Sequence, residues 1–163
     1  MIILGIDPGL ATVGYGVISY DGKNSKVIDF GVIQTPKEDN VAVRLAMIDK
    51  ASEQLITKFK PDAIAIEELF FNTNVTTGIK VAMARGVLLL NAVKYCGNLY
   101  EYTPLQIKQA MVGYGRADKK QVQEMVKLYL KLDKIPRPDD AADALAVALT
   151  HAQTGKMADV FRV

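Results

Sequence analysis

Three strand-length apolar runs in the first 35 residues, separated by turn chemistry, restrict the folds open to this chain. Residues 2–7, Ile-Ile-Leu-Gly-Ile-Asp, read as a buried strand, and Pro8-Gly9 supplies the turn after it. Val13 to Tyr20 reads as a second strand, and Asp21-Gly22 opens a hairpin connection to a third, Val27 to Thr35. The chain therefore begins with an antiparallel meander.

The period then changes. Val41, Leu45, Ile48, Leu55, Ile56 and Phe59 recur at helical spacing, and Pro61 stops that helix. A fourth strand follows at 62–67, then a loop and a helix of about Val75–Val93. Leu99 to Thr103 reads as a fifth strand. Pro104 suits a helix start, and that helix runs to about Val112, where Gly113-Tyr114-Gly115 breaks it. Further helices cover about Lys119–Leu132 and Asp140–Gln153, with Pro136 and Pro138 between them. The order βββαβαβααα predicts an α/β domain: a five-stranded mixed sheet flanked by helices, one domain over residues 1–163.

Half of the residues are hydrophobic, which argues against a disordered chain. Cys96 is the lone cysteine, so no internal disulfide forms, and a reducing, cytoplasmic setting is expected. The first residues lack the basic segment of a secretory signal, and no apolar run is expected to span a membrane. The formal net charge is only +2, but Lys108 to Arg137 holds eight basic and three acidic residues. A local excess of this kind suits a polyanion, although a lysine-rich solvated helix face has the same composition.

Four carboxylates stand where a fold alone has little use for them. Asp7 and Glu67 end apolar strands, and Asp140 and Asp143 begin an alanine-rich helix. A charge at the end of a core element costs free energy unless something pairs with it, and a hard divalent cation pairs with several carboxylates at once. Strand alternation puts Ile3, Gly5 and Asp7 on one face, and Ala63, Ala65 and Glu67 on one face. Glu68 falls on the opposite face. Small residues on these faces and along the last helix let helix and sheet approach closely. Asp140 and Asp143, three apart, share a helix side, whereas Asp139 is placed to cap the helix. Taken singly, each acid has an ordinary reading: a turn aspartate, the first polar residue after a strand, or acids favoured by a helix dipole. Their joint placement at one end of one fold is what points to a metal-dependent enzyme.

The helix from Val75 to Val93 is apolar on too many sides for a surface helix. Val75, Ile79, Ala82, Gly86, Leu89 and Val93 make one stripe, extended by Val81, Leu88 and Leu90. One side is expected on the sheet and another on a partner helix, at a two-fold dimer contact.

At this level the sequence resembles the bacterial RuvC Holliday junction resolvases. The resemblance rests on Gly5-Ile6-Asp7-Pro8-Gly9 with Gly14-Tyr15-Gly16-Val17, Ala65-Ile66-Glu67-Glu68-Leu69-Phe70, Ala84-Arg85-Gly86-Val87, Gln106-Ile107-Lys108-Gln109, Val112-Gly113-Tyr114-Gly115, and Asp140-Ala141-Ala142-Asp143-Ala144-Leu145-Ala146. It runs in order from residue 2 to about His151. It implies a ribonuclease H-like nuclease domain, homodimeric, cutting four-way DNA junctions by paired nicks in recombination and repair. It implies Mg²⁺, with Mn²⁺ able to substitute, two ions per site held by Asp7, Glu67, Asp140 and Asp143, and branch-migration partners RuvA and RuvB. Carried over by motif, Lys119 joins the acids in catalysis. Phe70 or its neighbour Phe71 probes bases at the crossover, and Arg85, Lys108, Lys119 and Lys120 are expected at the DNA. Two other readings share part of this pattern. A ribonuclease H-like enzyme trimming ribosomal RNA precursors shares the opening motif but not the Asp-Ala-Ala-Asp ending. A junction-binding module would use the acids only as caps.

Overall fold

The computed structural model describes residues 1–69 and 74–163. The meander is formed by β1 (Ile2–Asp7), β2 (Thr12–Tyr20) and β3 (Ser25–Gln34). Strand β4 (Ala63–Glu67) pairs in parallel with β1, and β5 (Leu99–Tyr102) pairs in parallel with β4. The sheet order is β3-β2-β1-β4-β5, and the five-stranded mixed sheet is the expected ribonuclease H-like fold. Strand β1 is central, with an antiparallel neighbour on one side and a parallel one on the other.

Among the described residues five α-helices flank this sheet: α1 (Val41–Phe59), α2 (Val75–Tyr95), α3 (Pro104–Val112), α4 (Lys119–Tyr129) and α5 (Asp139–Thr154). Alternation along the central strands divides the core in two. Leu4, Ile6, Ile64 and Ile66 pack with Ile48 and Ile56 of α1 and Leu88 of α2. Ile3 and Ala65 pack with Leu145, Ala148 and Leu149 of α5, together with Ile107 of α3 and Val126 of α4. The side that holds Ile3 and Ala65 also holds Asp7 and Glu67 by the two-residue period.

Helix α5 lies unusually close to the sheet, and glycine makes this possible. A Cβ on Gly5 would stand 2.1 Å from the Ala144 carbonyl oxygen, and one on Gly14 would stand 2.0 Å from that of Asp140. Every residue from Ala144 to Ala152 is buried.

Several boundaries differ from the sequence reading. Strand β3 begins at Ser25, because Ser25 pairs with Tyr20 and extends the hairpin to its turn. Helix α4 ends at Tyr129 rather than Leu132. Lys131 adopts a left-handed φ of 53°, which stops helix propagation. A 3₁₀ segment, Gly155–Phe161, follows α5 and brings the Phe161 ring 5.0 Å from that of Tyr102. Nothing in the local sequence signals this tail. Against the expectation that no run is long and apolar enough to span a membrane, α2 has the length and composition to do so, with an 18-residue window of mean hydropathy 1.2. In the fold this helix packs on α1. Buried Asn91 donates from its amide to the Ser52 hydroxyl at 2.8 Å and the Asp49 carbonyl at 2.9 Å.

Candidate active site

Pairing registers bring the acids together. Ile6 lies opposite Ile66 in the parallel β1–β4 pair, so the next residues, Asp7 and Glu67, end adjacent strands side by side. Asp7 is also paired with Gly14 on β2. Gly14 is the position where the Asp140 backbone meets the sheet. The first turn of α5 is thereby set over the ends of β1 and β4. Its approach is fixed by the missing side chains of Gly5 and Gly14 rather than by an ion pair.

The local charge balance is unfavourable without a counter-ion. Burial, and then the charges of Glu67, Asp143 and Asp140, push Asp7 up to about 8, against only the opposing pull of Lys119. Glu67 is pushed up to about 7, by burial and then Asp143, with a hydrogen bond to Asp7 and the charges of Lys119 and Lys108 opposing. Burial also raises Asp143, although its contact with Lys119 works the other way. Burial and the crowding of like charges thus favour the protonated forms of Asp7 and Glu67 while no cation is present.

Lys119 reaches the site because α4 starts there. Asp118 and Gln121 form a reciprocal capping box, with 2.8 and 2.9 Å hydrogen bonds, and fix Lys119 as the first helical residue. Its ammonium lies 3.0 Å from the Asp143 carboxylate and 3.7 Å from that of Asp139. Partial burial pulls the Lys119 ammonium down, but Asp143, backed by Asp139 and Asp140, outweighs this and holds it above the ordinary lysine value.

Two recesses of about 280 Å³ each meet at Glu67. One is walled by Lys108, Lys119 and Asp143 with the apolar Ile107, Val122 and Ala146. The other is bordered by Asp7, Pro8, Glu67, Glu68 and Leu69. Asp140 opens instead toward a groove of about 390 Å³ that it shares with Arg44, Thr77 and Lys80. Among the described residues no three acidic, histidine or cysteine side chains form a ready-made ion cage. The donor set is all carboxylate oxygen, which fits a hard divalent cation, and burial with the neighbouring acids disfavours charge on Asp7 and Glu67 in its absence.

Two details of the sequence reading change. Asp139 is not the cap of α5: Pro138 occupies that position, and among the described residues no side chain caps the helix. Asp139 is the first helical residue, paired with Arg137 and near Lys119. Glu68 borders the recess beside Asp7 and Glu67 despite its place in the alternation, because β4 ends at Glu67 and the two-residue period ends with it. Arg85 on α2 is ion-paired with Glu101 on β5, and Lys120 is exposed on α4 outside the recess. Phe70 and Phe71 lie outside the described residues. Sequence reasoning missed Arg44 and Lys80. Nothing in their local spacing links α1 and α2 to the start of α5.

Comparison with known proteins identifies the family. The model of the family described as crossover junction endodeoxyribonuclease RuvC matches residues 3–151. A crossover junction endodeoxyribonuclease RuvC of Alkaliphilus oremlandii is 55% identical over 163 residues, covering 100% of this chain and 99% of that one. The Thermus thermophilus RuvC structure superposes with a TM-score of 0.91 at 36% identity, with 100% of both chains covered. The same enzyme in complex with Holliday junction substrate gives a TM-score of 0.94 at 35% identity, covering 100% of this chain and 99% of that one. The chain belongs to the RuvC family of crossover junction endodeoxyribonucleases, ribonuclease H-like nucleases that resolve four-way DNA junctions in recombination and repair.

Proposed function

We propose that Asp7, Glu67, Asp140 and Asp143 hold two Mg²⁺ ions, replaceable by Mn²⁺, and that Lys119 serves the same reaction. The observation that carries this reading is geometric: Asp7 and Glu67 end adjacent paired strands, and the first turn of α5 brings Asp140 and the Lys119-paired Asp143 over them. Four carboxylates offset two divalent charges. When bound, the ions supply Lewis acidity to the phosphoryl oxygens and a water that ionises near neutral pH.

The chain's own residues do the rest. The ends of β1 and β4 hold Asp7 and Glu67 on rigid, hydrogen-bonded backbone, so the reacting phosphate meets a fixed pair. Lys119 keeps Asp143 oriented and brings one positive charge to the recess where the phosphate's charge grows. Ile107, Val122 and Ala146 form an apolar wall beside these groups, which strengthens their electrostatics by excluding water. Lys108 lines the same recess and is assigned to the DNA backbone. Phe70 or Phe71 is assigned to base stacking at the crossover. Lys120 and Arg85 are assigned to more distant phosphates, with Arg85 exchanging Glu101 for DNA.

The exposed face of α2 supports a homodimer. Ile79, Met83, Leu90 and Val93 are exposed, and they fall with Gly86 on one seam at alternating steps of four and three. Open space above Gly86 lets a second helix approach there. A two-fold pair of sites suits the near-symmetric junction and its paired nicks. RuvA and RuvB are proposed as branch-migration partners, and the cytoplasm as the compartment.

The deciding experiment is cleavage of a synthetic four-way junction with and without Mg²⁺ by wild type and Asp7→Asn. Wild type is expected to nick paired strands only with the metal. Asp7→Asn is expected to bind the junction and leave it uncut. Cleavage by the variant at the wild-type rate removes Asp7 from the metal site.

A further inference from the structure

We infer that the groove between the β1–β2 loop and α2, beside Asp140, is a second anion site that grips a backbone phosphate of the strand being cut. This inference rests on the nuclease reading above. Arg44 is 9% exposed, and among the described residues no carboxylate lies within 4.0 Å of it. A buried guanidinium without a counter-ion is costly, and a phosphate that accepts from its fork relieves that cost. Its Nε donates to the Thr35 hydroxyl at 2.9 Å, and that hydroxyl donates to the Leu10 carbonyl at 2.6 Å. This chain of hydrogen bonds ties α1 to the loop that frames the groove, which Arg44 lines, and leaves the two terminal guanidinium nitrogens without a hydrogen-bond partner among the described residues. Across the groove, Thr77 and Lys80 from the first turns of α2 line the other wall.

The groove holds about 390 Å³, and Asp140 is its one acidic wall residue. Asp140 belongs to both the groove and the carboxylate cluster, so a strand whose scissile phosphate lies at the cluster passes its next phosphates along Arg44 and Lys80. The arrangement is electrostatically alternating: acids where cations bind, bases where a bare phosphate binds. A phosphate held there fixes the strand's direction across the acids and adds positioning to the reaction. It does not read base identity.

The test uses full-length protein and a synthetic junction carrying single neutral methylphosphonates on either side of the cleaved bond. Lys80→Gln is expected to weaken junction binding about tenfold. It is also expected to lower the slope of log Kd against log salt by about one. One methylphosphonate position is expected to slow wild-type cleavage but to cost Lys80→Gln much less, because the contact is already lost. Arg44→Gln is expected to show the same loss of sensitivity. If that variant does not fold, Lys80→Gln decides alone. An unchanged salt slope with fully additive losses overturns the site. Absence of metal-dependent junction cleavage by wild type would instead overturn the nuclease reading, so the two failures are distinguishable.

Discussion

The Lys119 ammonium stands 3.0 Å from the Asp143 carboxylate and joins the first residue of α4 to the first turn of α5. Roughly half of the lysine side chain is exposed, so the pair itself contributes little to folding. Its use is local charge at the recess. Lys119→Ala is expected to lower junction cleavage by about 100-fold, the scale of losing one electrostatic group at a transition state. Junction binding is expected to fall only a few-fold. Single-turnover cleavage and a binding titration measure the two separately, and equal losses remove the catalytic role.

The raised values of Asp7 and Glu67 make the metal-free protein sensitive to pH. Both lie above the ordinary values of 3.8 and 4.5 for an unfolded chain, at about 8 and about 7. Between those limits the folded state binds more protons than the unfolded state, so stability falls as pH rises. Without metal, the melting temperature is expected to decline from about pH 5 to about pH 8, and saturating Mg²⁺ is expected to remove most of the decline. Metal binding near neutral pH is expected to expel roughly one proton, because the cation competes for the same oxygens. Calorimetry in two buffers of different ionisation enthalpy measures that release. A release of zero sinks the account of proton-holding acids at the site.

The acids were legible in the sequence because strand alternation and helical spacing are local rules. Those rules single out Asp7, Glu67 and the Asp140–Asp143 pair before any fold is known. Three features were not legible. Glu68 borders the recess because β4 stops at Glu67, and a strand end depends on its pairing partners. Asp139 lost the capping position to Pro138 while pairing with Arg137, a competition that helix-start rules do not resolve. Arg44 and Lys80 meet Asp140 only through packing of α1 and α2 beside the β1–β2 loop, a contact between segments about a hundred and about sixty residues from Asp140 in sequence. The apolar runs in β1 and β4 fixed the sheet's centre, but the closeness of α5 became visible only through the missing Cβ atoms of Gly5 and Gly14.

Those two glycines carry an expectation of their own. Alanine at Gly14 would place a methyl 2.0 Å from the Asp140 carbonyl oxygen, and both groups belong to backbone that cannot rotate away. Gly14→Ala is expected to cost about 1–3 kcal/mol, the range for overpacking a filled core. It is also expected to displace Asp140 and depress cleavage more than the stability loss explains. Chemical denaturation alongside cleavage below the unfolding transition checks both. Wild-type activity with wild-type stability would show that α5 can shift without consequence.

His151 gives a spectroscopic check on the opposite end of α5. It is the one histidine in the chain, 4% exposed, with Nδ1 2.8 Å from the Tyr102 hydroxyl and its ring 4.3 Å from that of Tyr100. Burial lowers its imidazole from 6.5 to about 4. The folded state therefore binds fewer protons than the unfolded state below about pH 6.5, and the histidine's contribution to stability is lost as pH falls from there toward 4. The full loss is roughly 3 kcal/mol. The imidazole proton resonances are expected to stay constant from about pH 8 down to about pH 5 and to move only below that. Because there is a single histidine, assignment is unambiguous. A midpoint near 6.5 in the folded protein would mean that the ring is hydrated, and the packing of the 3₁₀ tail against Tyr102 would then have to be looser than the structure has it.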